Sequence, residues 1–214
     1  LTPMVATARI IKAEHPDASV VFIGPCASKK LEASRRTIRS DVDFVITFEE
    51  LSGMFEAKGI QLEQIEATDK MEDATGAGRG YGVAGGVASA IEACIKEYYP
   101  DTEIHIEHAE SLADCKKVLM LAKAGKNNGC LIEVMGCPGG CVNGGGQPQV
   151  PASIRNFTNI GAERAKALYK SDADSFIRKS HKNPVIKELY KSYLGEPGSE
   201  KAHHLLHTHY IARK

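Results

Sequence analysis

The sequence predicts an α/β fold: a mostly parallel sheet with flanking helices, followed by a helical C-terminal segment. Two observations carry this. Residues 19–23 (SVVFI) and 131–135 (LIEVM) are short, nearly continuous apolar runs, the pattern of strands covered on both faces. Stretches with apolar residues at helical spacing alternate with such runs along the chain. Both runs deliver into cysteine, the first at Gly24-Pro25-Cys26 and the second at Gly136-Cys137-Pro138-Gly139-Gly140-Cys141, which Gly144-Gly145-Gly146 follows. In open α/β sheets ligands bind at the carboxyl ends of strands, so these two strand ends are the candidate site.

In chain order, Thr2 and Pro3 suit the N-cap and first position of a helix over 3–15, whose apolar face is Met4, Val5, Ala8, Ile10 and Ile11 and which Pro16-Asp17 closes. After the strand at 19–23 comes a short helix over 27–35, where Lys29, Lys30 and Glu32 would ordinarily be a solvated face. A strand at 43–48 leads into a helix over 48–58, with Gly59 as its C-cap. Residues 61–73 are acidic and weakly patterned, as in a surface loop. The glycine-rich run 76–86 opens a helix over 85–99; it lacks the preceding strand and spacing of a dinucleotide fingerprint, so close packing explains it better. Cys94 in that helix reads as a small buried residue. A strand at 103–107 and a helix over 111–124 follow, with Leu112, Cys115, Leu119 and Ala122 on one face; Cys115 and Cys130 are assigned to the core. Residues 152–171 and 184–194 are predicted helices. His203 and His207 share a helix face, but no carboxylate or cysteine nearby completes a zinc site.

Lys plus Arg equals Asp plus Glu at 27 each, so no global field attracts nucleic acid or an anionic membrane, and no apolar run approaches the ~20 residues of a membrane span. Six cysteines without a secretion signal argue for thiols or metal ligands in a reducing, cytoplasmic setting. The chain starts at Leu1, which suggests processing or a piece of a longer protein.

The Cys137–Cys141 loop carries the chemistry. Its glycines can take φ > 0 and bring backbone amides close to a bulky inorganic group, and thiolates in such a backbone are what an iron–sulfur cluster needs. A redox disulfide is the plainer alternative, but three residues separate the cysteines rather than the two of the thioredoxin-like motif. Two thiolates complete neither a zinc site nor a common cluster, so further ligands must come from elsewhere.

Residues 24–32 (GPCASKKLE) and 133–148, together with the glycine-rich helix start at 82–87 and the tail 198–210, resemble the iron-only (FeFe) hydrogenases. The resemblance runs through the whole chain and implies one lobe of the large-subunit fold, with 1–150 as the α/β core carrying the cluster loops and 151–214 as a helical segment of the same domain. It implies an H-cluster: a 4Fe-4S cubane bridged through Cys141 to a di-iron unit carrying CO, cyanide and azadithiolate, with Cys26 and Cys137 as further cubane ligands. Lys29 matches the lysine that donates to a cyanide nitrogen, and Glu32, one turn on, would hold it. Met135 and Tyr81 match positions that wall the di-iron pocket, Tyr81 standing where phenylalanine is usual; Pro25, Gly139 and Gly140 line the cofactor. The third family signature, with the fourth ligand and a proton-transfer cysteine, would lie upstream of Leu1. The implied partners are dihydrogen and protons, that N-terminal part of the domain, and an electron carrier such as ferredoxin or accessory clusters.

The sequence departs from the family pattern in places. Gly24 stands where many catalytic members have Met, Gly136 where Ala is common, and Ala84 where Thr is frequent. These changes resemble the hydrogen-sensing branch more than the fast bidirectional enzymes. A non-catalytic iron–sulfur assembly relative and a structural metal-binding domain are the competing readings.

Overall fold

The computed structural model describes residues 1–35, 41–66, 68 and 74–208; part of the loop predicted at 61–73 and the end of the tail, from 209, lie outside them. In chain order the regular elements are α1 (Pro3–Glu14), β1 (Val21–Gly24), α2 (Ser28–Ala33), β2 (Phe44–Thr47), α3 (Phe48–Ala57), α4 (Gly76–Gly80), α5 (Gly86–Tyr98), β3 (His105–Glu110), α6 (Leu112–Lys123), β4 (Cys130–Met135), α7 (Ala152–Arg155), α8 (Ile160–Ala173), α9 (Pro184–Leu189) and α10 (Glu200–Leu206). The class is α/β and the strand pairing is parallel. The chain divides into two compact units, one made of Leu1–Ile65, Gly145–Gln149 and Glu188–Lys214, the other of Glu66–Gly144 and Val150–Lys187.

In the first unit, β1 and β2 pair in parallel from Val21↔Phe44 to Gly24↔Thr47. Met4, Val5 and Ala8 of α1 form a core with Val42, against which Phe22, Val45 and Val20 pack. Strand alternation decides the rest: Phe22 turns inward, while Val21 (45% exposed), Ile23 (44%) and Phe44 (62%) face outward. The expectation of a strand covered on both faces is therefore corrected. Among the described residues the strands form two-stranded pairs, β1 with β2 and β3 with β4, and on the first pair α1 and its neighbours pack against one face. Thr2 occupies the N-cap position of α1, but its hydroxyl donates to Glu32 instead of capping.

Helix α3 starts where the apolar run meets a capping box. Thr47 Oγ1 accepts from Glu50 N at 3.2 Å, and the Glu50 carboxylate accepts from Thr47 N at 2.8 Å. At its other end Gly59 takes φ +67°, as the C-terminal glycine reading requires.

In the second unit, β3 and β4 run parallel from His105↔Cys130 to Glu110↔Met135, and Ala109, Cys115, Val118 and Ile132 make the core beneath α6. Cys115 is buried as expected; Cys130 and Cys94 are only half-buried, so neither is a full core residue. The single helix predicted over 152–171 is two, because Asn159 accepts from Ala162 N at 3.1 Å and starts α8 afresh. The helix predicted over 184–194 is α9 continued by a π-helical turn, Tyr190–Leu194. In α10 the rings of His203 and His207 stack with centroids 4.3 Å apart. No helix among the described residues is long and apolar enough to cross a membrane.

Lys30 binds the Glu50 carboxylate at 2.5 Å, and with the Thr47 amide it lowers that group from 4.5 to about 2. A depressed carboxylate contributes stability that is complete above its unfolded value and disappears as pH falls through its folded one. Acid should therefore weaken the α3 start between about pH 4.5 and 2. Stability curves of the native chain and Glu50→Gln, measured by urea unfolding at stepped pH, should converge across that window; parallel curves would refute the assignment.

Candidate metal centre

The first unit presents Cys26 at the end of β1, immediately before α2. Its carbonyl accepts from Lys29 N at 3.3 Å, so the cysteine leads directly into the first helical turn. A Cβ at Gly24 would lie 2.7 Å from Cε1 of Phe22, so a side chain there would require the Phe22 ring, on the same face of the strand, to shift. The Pro25 carbonyl accepts from Gly146 N at 2.9 Å, the Gly146 carbonyl accepts from Glu49 N at 3.0 Å, and Gln149 N donates to the Glu49 carboxylate at 2.7 Å. Gly146 is also pressed against Thr47, whose Cβ would be 2.8 Å from an added methyl. The last glycine of the run is thus a structural hook on the Pro25-Cys26 turn, a contact that sequence inspection missed.

Lys29 and Lys30 are adjacent in sequence and unlike in setting. Lys29 Nζ lies 2.5 Å from Glu32 Oε2, with the two side chains 22% and 18% exposed, and Thr2 Oγ1 donates to the other Glu32 oxygen. The expected Lys29–Glu32 pair therefore forms, with Thr2 as an unforeseen third member. Lys30 is more exposed and serves α3.

The second unit presents Cys137 and Cys141 beyond β4. Gly139 N donates to Glu110 Oε2 at 2.7 Å, and Asn143 Nδ2 donates to the Pro138 carbonyl at 2.9 Å. The loop lies against the turn that precedes α5: Ala84 N donates to the Gly139 carbonyl at 3.1 Å and Val142 N to the Gly82 carbonyl at 3.0 Å. Between these bonds sits Gly140, at φ +95°; a Cβ there would meet Ala84 N at 2.6 Å and Gly82 O at 2.8 Å. Only glycine satisfies both the dihedral and the approach. Val142 is buried and its carbonyl accepts from Arg164 at 3.1 Å. Gly136, by contrast, has open space around it.

Met135 closes β4 half-buried, and its carbonyl accepts from Ser111 N at 2.9 Å and from the Cys115 thiol at 3.8 Å. Ser111 holds φ +98°, a strained conformation costing of order 1–3 kcal/mol, next to the strand end that carries the cysteines. The Tyr81 hydroxyl donates to Ser180 Oγ at 2.7 Å. Ser180 is itself placed by the turn Ser180–Lys182, which Glu97 clamps through Lys179 at 2.6 Å, His181 at 3.0 Å and Lys182. Those cations hold the Glu97 carboxyl well below the usual range, and Glu97 in turn raises Lys182.

Glu133 was also missed. Its carboxylate accepts from Gly85 N at 2.5 Å and from Val87 N and Ala88 N at 3.1 Å each. The available signal was a lone carboxylate inside an apolar strand run. None of the six cysteines is in a disulfide. Among the described residues no three histidine, cysteine or acidic side chains are grouped as a metal site.

Gly140→Ala should destabilise the second unit by ~3 kcal/mol or more, while Gly136→Ala should change it by no more than about 0.5 kcal/mol. Thermal melts of the two variants decide this; equal effects would contradict the packing at Gly140.

Residues 1–145 match the family model described as the iron-only hydrogenase large subunit, C-terminal domain, and residues 158–213 match that of the iron hydrogenase small subunit. The NADP-reducing hydrogenase subunit HndD of Solidesulfovibrio fructosivorans is 35% identical over 91% of the chain, and iron hydrogenase 1 of Clostridium pasteurianum is 34% identical over 89%. The chain spans only 38% and 39% of those two proteins. Cytosolic iron–sulfur assembly component 3 of Bos taurus is 28% identical over 88% of the chain, which covers 46% of its length. A solved FeFe hydrogenase from Chlamydomonas reinhardtii superposes with a TM-score of 0.69 at 28% identity, covering 98% of the chain and 68% of that structure. The strand-end cysteines, the interlocked glycine loop and these matches together show that the chain belongs to the iron-only hydrogenase family, in the C-terminal domain of the large subunit.

Proposed function

We propose that the chain supplies Cys26, Cys137 and Cys141 to an H-cluster, as part of a longer hydrogenase-type protein that cleaves or senses dihydrogen. The donor set fits such a group: three soft thiol ligands, none in a disulfide, two of them on one loop held in place by backbone. A fourth cubane ligand comes from outside these residues. When bound, the cluster supplies an open iron and a nearby amine base for heterolysis of dihydrogen, with the cubane relaying electrons.

The observation that carries this reading is the Lys29–Glu32–Thr2 arrangement. A mostly buried ammonium oriented by one carboxylate, which a hydroxyl fixes in turn, suits donation to an anionic ligand such as cyanide. A cluster without cyanide gives Lys29 no such task. Met135 and Tyr81 wall the pocket; the bond from Tyr81 to Ser180 keeps the phenol in a defined position. Protons, dihydrogen and an electron carrier such as ferredoxin or accessory clusters are the partners. The bulk missing at Gly24 is partly returned by the Phe22 ring, so a sensing role rests chiefly on the other departures.

The similarity to cytosolic iron–sulfur assembly component 3 supports a second reading, a non-catalytic cluster protein of the cytoplasm. Infrared spectra and iron analysis of the matured full-length protein separate the two: CO and cyanide bands belong to the first only. In that protein Lys29→Ala should lose most of its di-iron occupancy, since an anionic ligand would be buried without its cation. Cys141→Ser should lose the di-iron bands while keeping more cubane absorption than Cys137→Ser. Unchanged bands in Lys29→Ala would sink the assignment.

A further inference from the structure

We infer that Glu133 is a positioning residue for the cysteine loop and acts through the turn that starts α5. Its side chain rises from β4 and is 8% exposed. Oε2 receives Gly85 N at 2.5 Å and faces His108 Nδ1 at 3.3 Å; Oε1 receives Val87 N and Ala88 N, each at 3.1 Å. The first amides of a helix have no intrahelical acceptor, and a carboxylate there makes charge-assisted bonds in a favourable dipole.

The turn held in this way is the one on which the cysteine loop rests. Its other side is fixed by Ala84 N to the Gly139 carbonyl and Val142 N to the Gly82 carbonyl, with Gly140 packed between them. Glu133 also stands on the strand that leads to Cys137. The contacts therefore form a closed circuit: β4 to Glu133, Glu133 to the start of α5, the turn at 82–85 to the loop at 139–142, and that loop back to β4. One arm is the Glu133 carboxylate on three backbone amides, another the two backbone bonds that close over Gly140, and the rest is continuous chain, so the circuit holds Cys137 and Cys141 in place without a metal. The inference deepens the proposed function, on which its relevance to a cluster rests. Its test is made on the metal-free chain, so the two can fail separately.

In Glu133→Gln the single amide oxygen can keep Val87 and Ala88, but an NH2 group then faces Gly85 N. Hydrogen exchange should rise at Gly85 and Ala84 by about tenfold or more, the change expected when bonds to a charged acceptor are lost. Alkylation of Cys137 and Cys141 by iodoacetamide should become several-fold faster, with buried Cys115 as the internal reference unchanged. Faster exchange at Gly85 with Ala84, Val142 and both cysteines unaltered would overturn the proposal. If Cys115 also reacts quickly, the variant has unfolded, and the native chain decides. In mild urea, exchange at Ala84 and Val142 must follow the same opening as at Gly85, Val87 and Ala88; independent opening would overturn the proposal.

Discussion

A missing carbon governs the cysteine loop. At Gly140 the chain passes so close to the backbone of residues 82–84 that no side chain fits, and two hydrogen bonds close over the gap. The backbone between Cys137 and Cys141 is seated by that approach, and the bonds from Glu110 and Asn143 act on a loop already pressed against residues 82–84. The glycines of the loop are not slack: the two at φ > 0 lie where the backbone is bonded on both sides, while Gly136, outside the interlock, has open space where a side chain would be.

Charge is used in two different ways around this frame. Glu133 and Glu32 are mostly buried, and each has donors on both oxygens, so their acceptor positions are matched by geometry. Glu97 and Glu50 are more exposed and gather lysines instead. Solvent screens the second kind, which tie surface turns together at modest gain. The first kind fixes groups on the segments that carry the cysteines, where screening is weaker and misplacement costs more.

What could be read from the sequence was local. Apolar runs ending in glycine and cysteine marked the strand ends at Cys26 and Cys137, and helical spacing placed α5 and α6 within a residue or two of their observed limits. The Lys29–Glu32 pair was expected from the family resemblance, and their spacing of one helical turn permits it; by charge pattern alone the two read as a solvated face. What escaped was non-local. Glu133 meets Gly85, 48 residues earlier, and no local pattern announces that partner. Whether a strand is covered on both faces depends on neighbours elsewhere in the chain, so the exposure of Val21 and Ile23 was invisible in a run that looked fully buried. The break before α8 was a competition between continuing a helix and capping a new one, which Asn159 won.

The hook at Gly146 has a consequence for the order of assembly. Gln149 reaches Glu49 across 100 positions of chain, and Gly146 reaches back to Pro25 over a longer span. Closing a loop of that length costs on the order of 4 kcal/mol of chain entropy, and contacts of high sequence separation form late in folding. The parallel pair β1–β2 and the start of α3 can assemble early, within the first few dozen residues, whereas the far end of the glycine run docks only after β4 exists. The far end of the glycine run, Gly145–Gln149, is thus among the last parts of the first unit to settle, although every other contact it joins is already within reach.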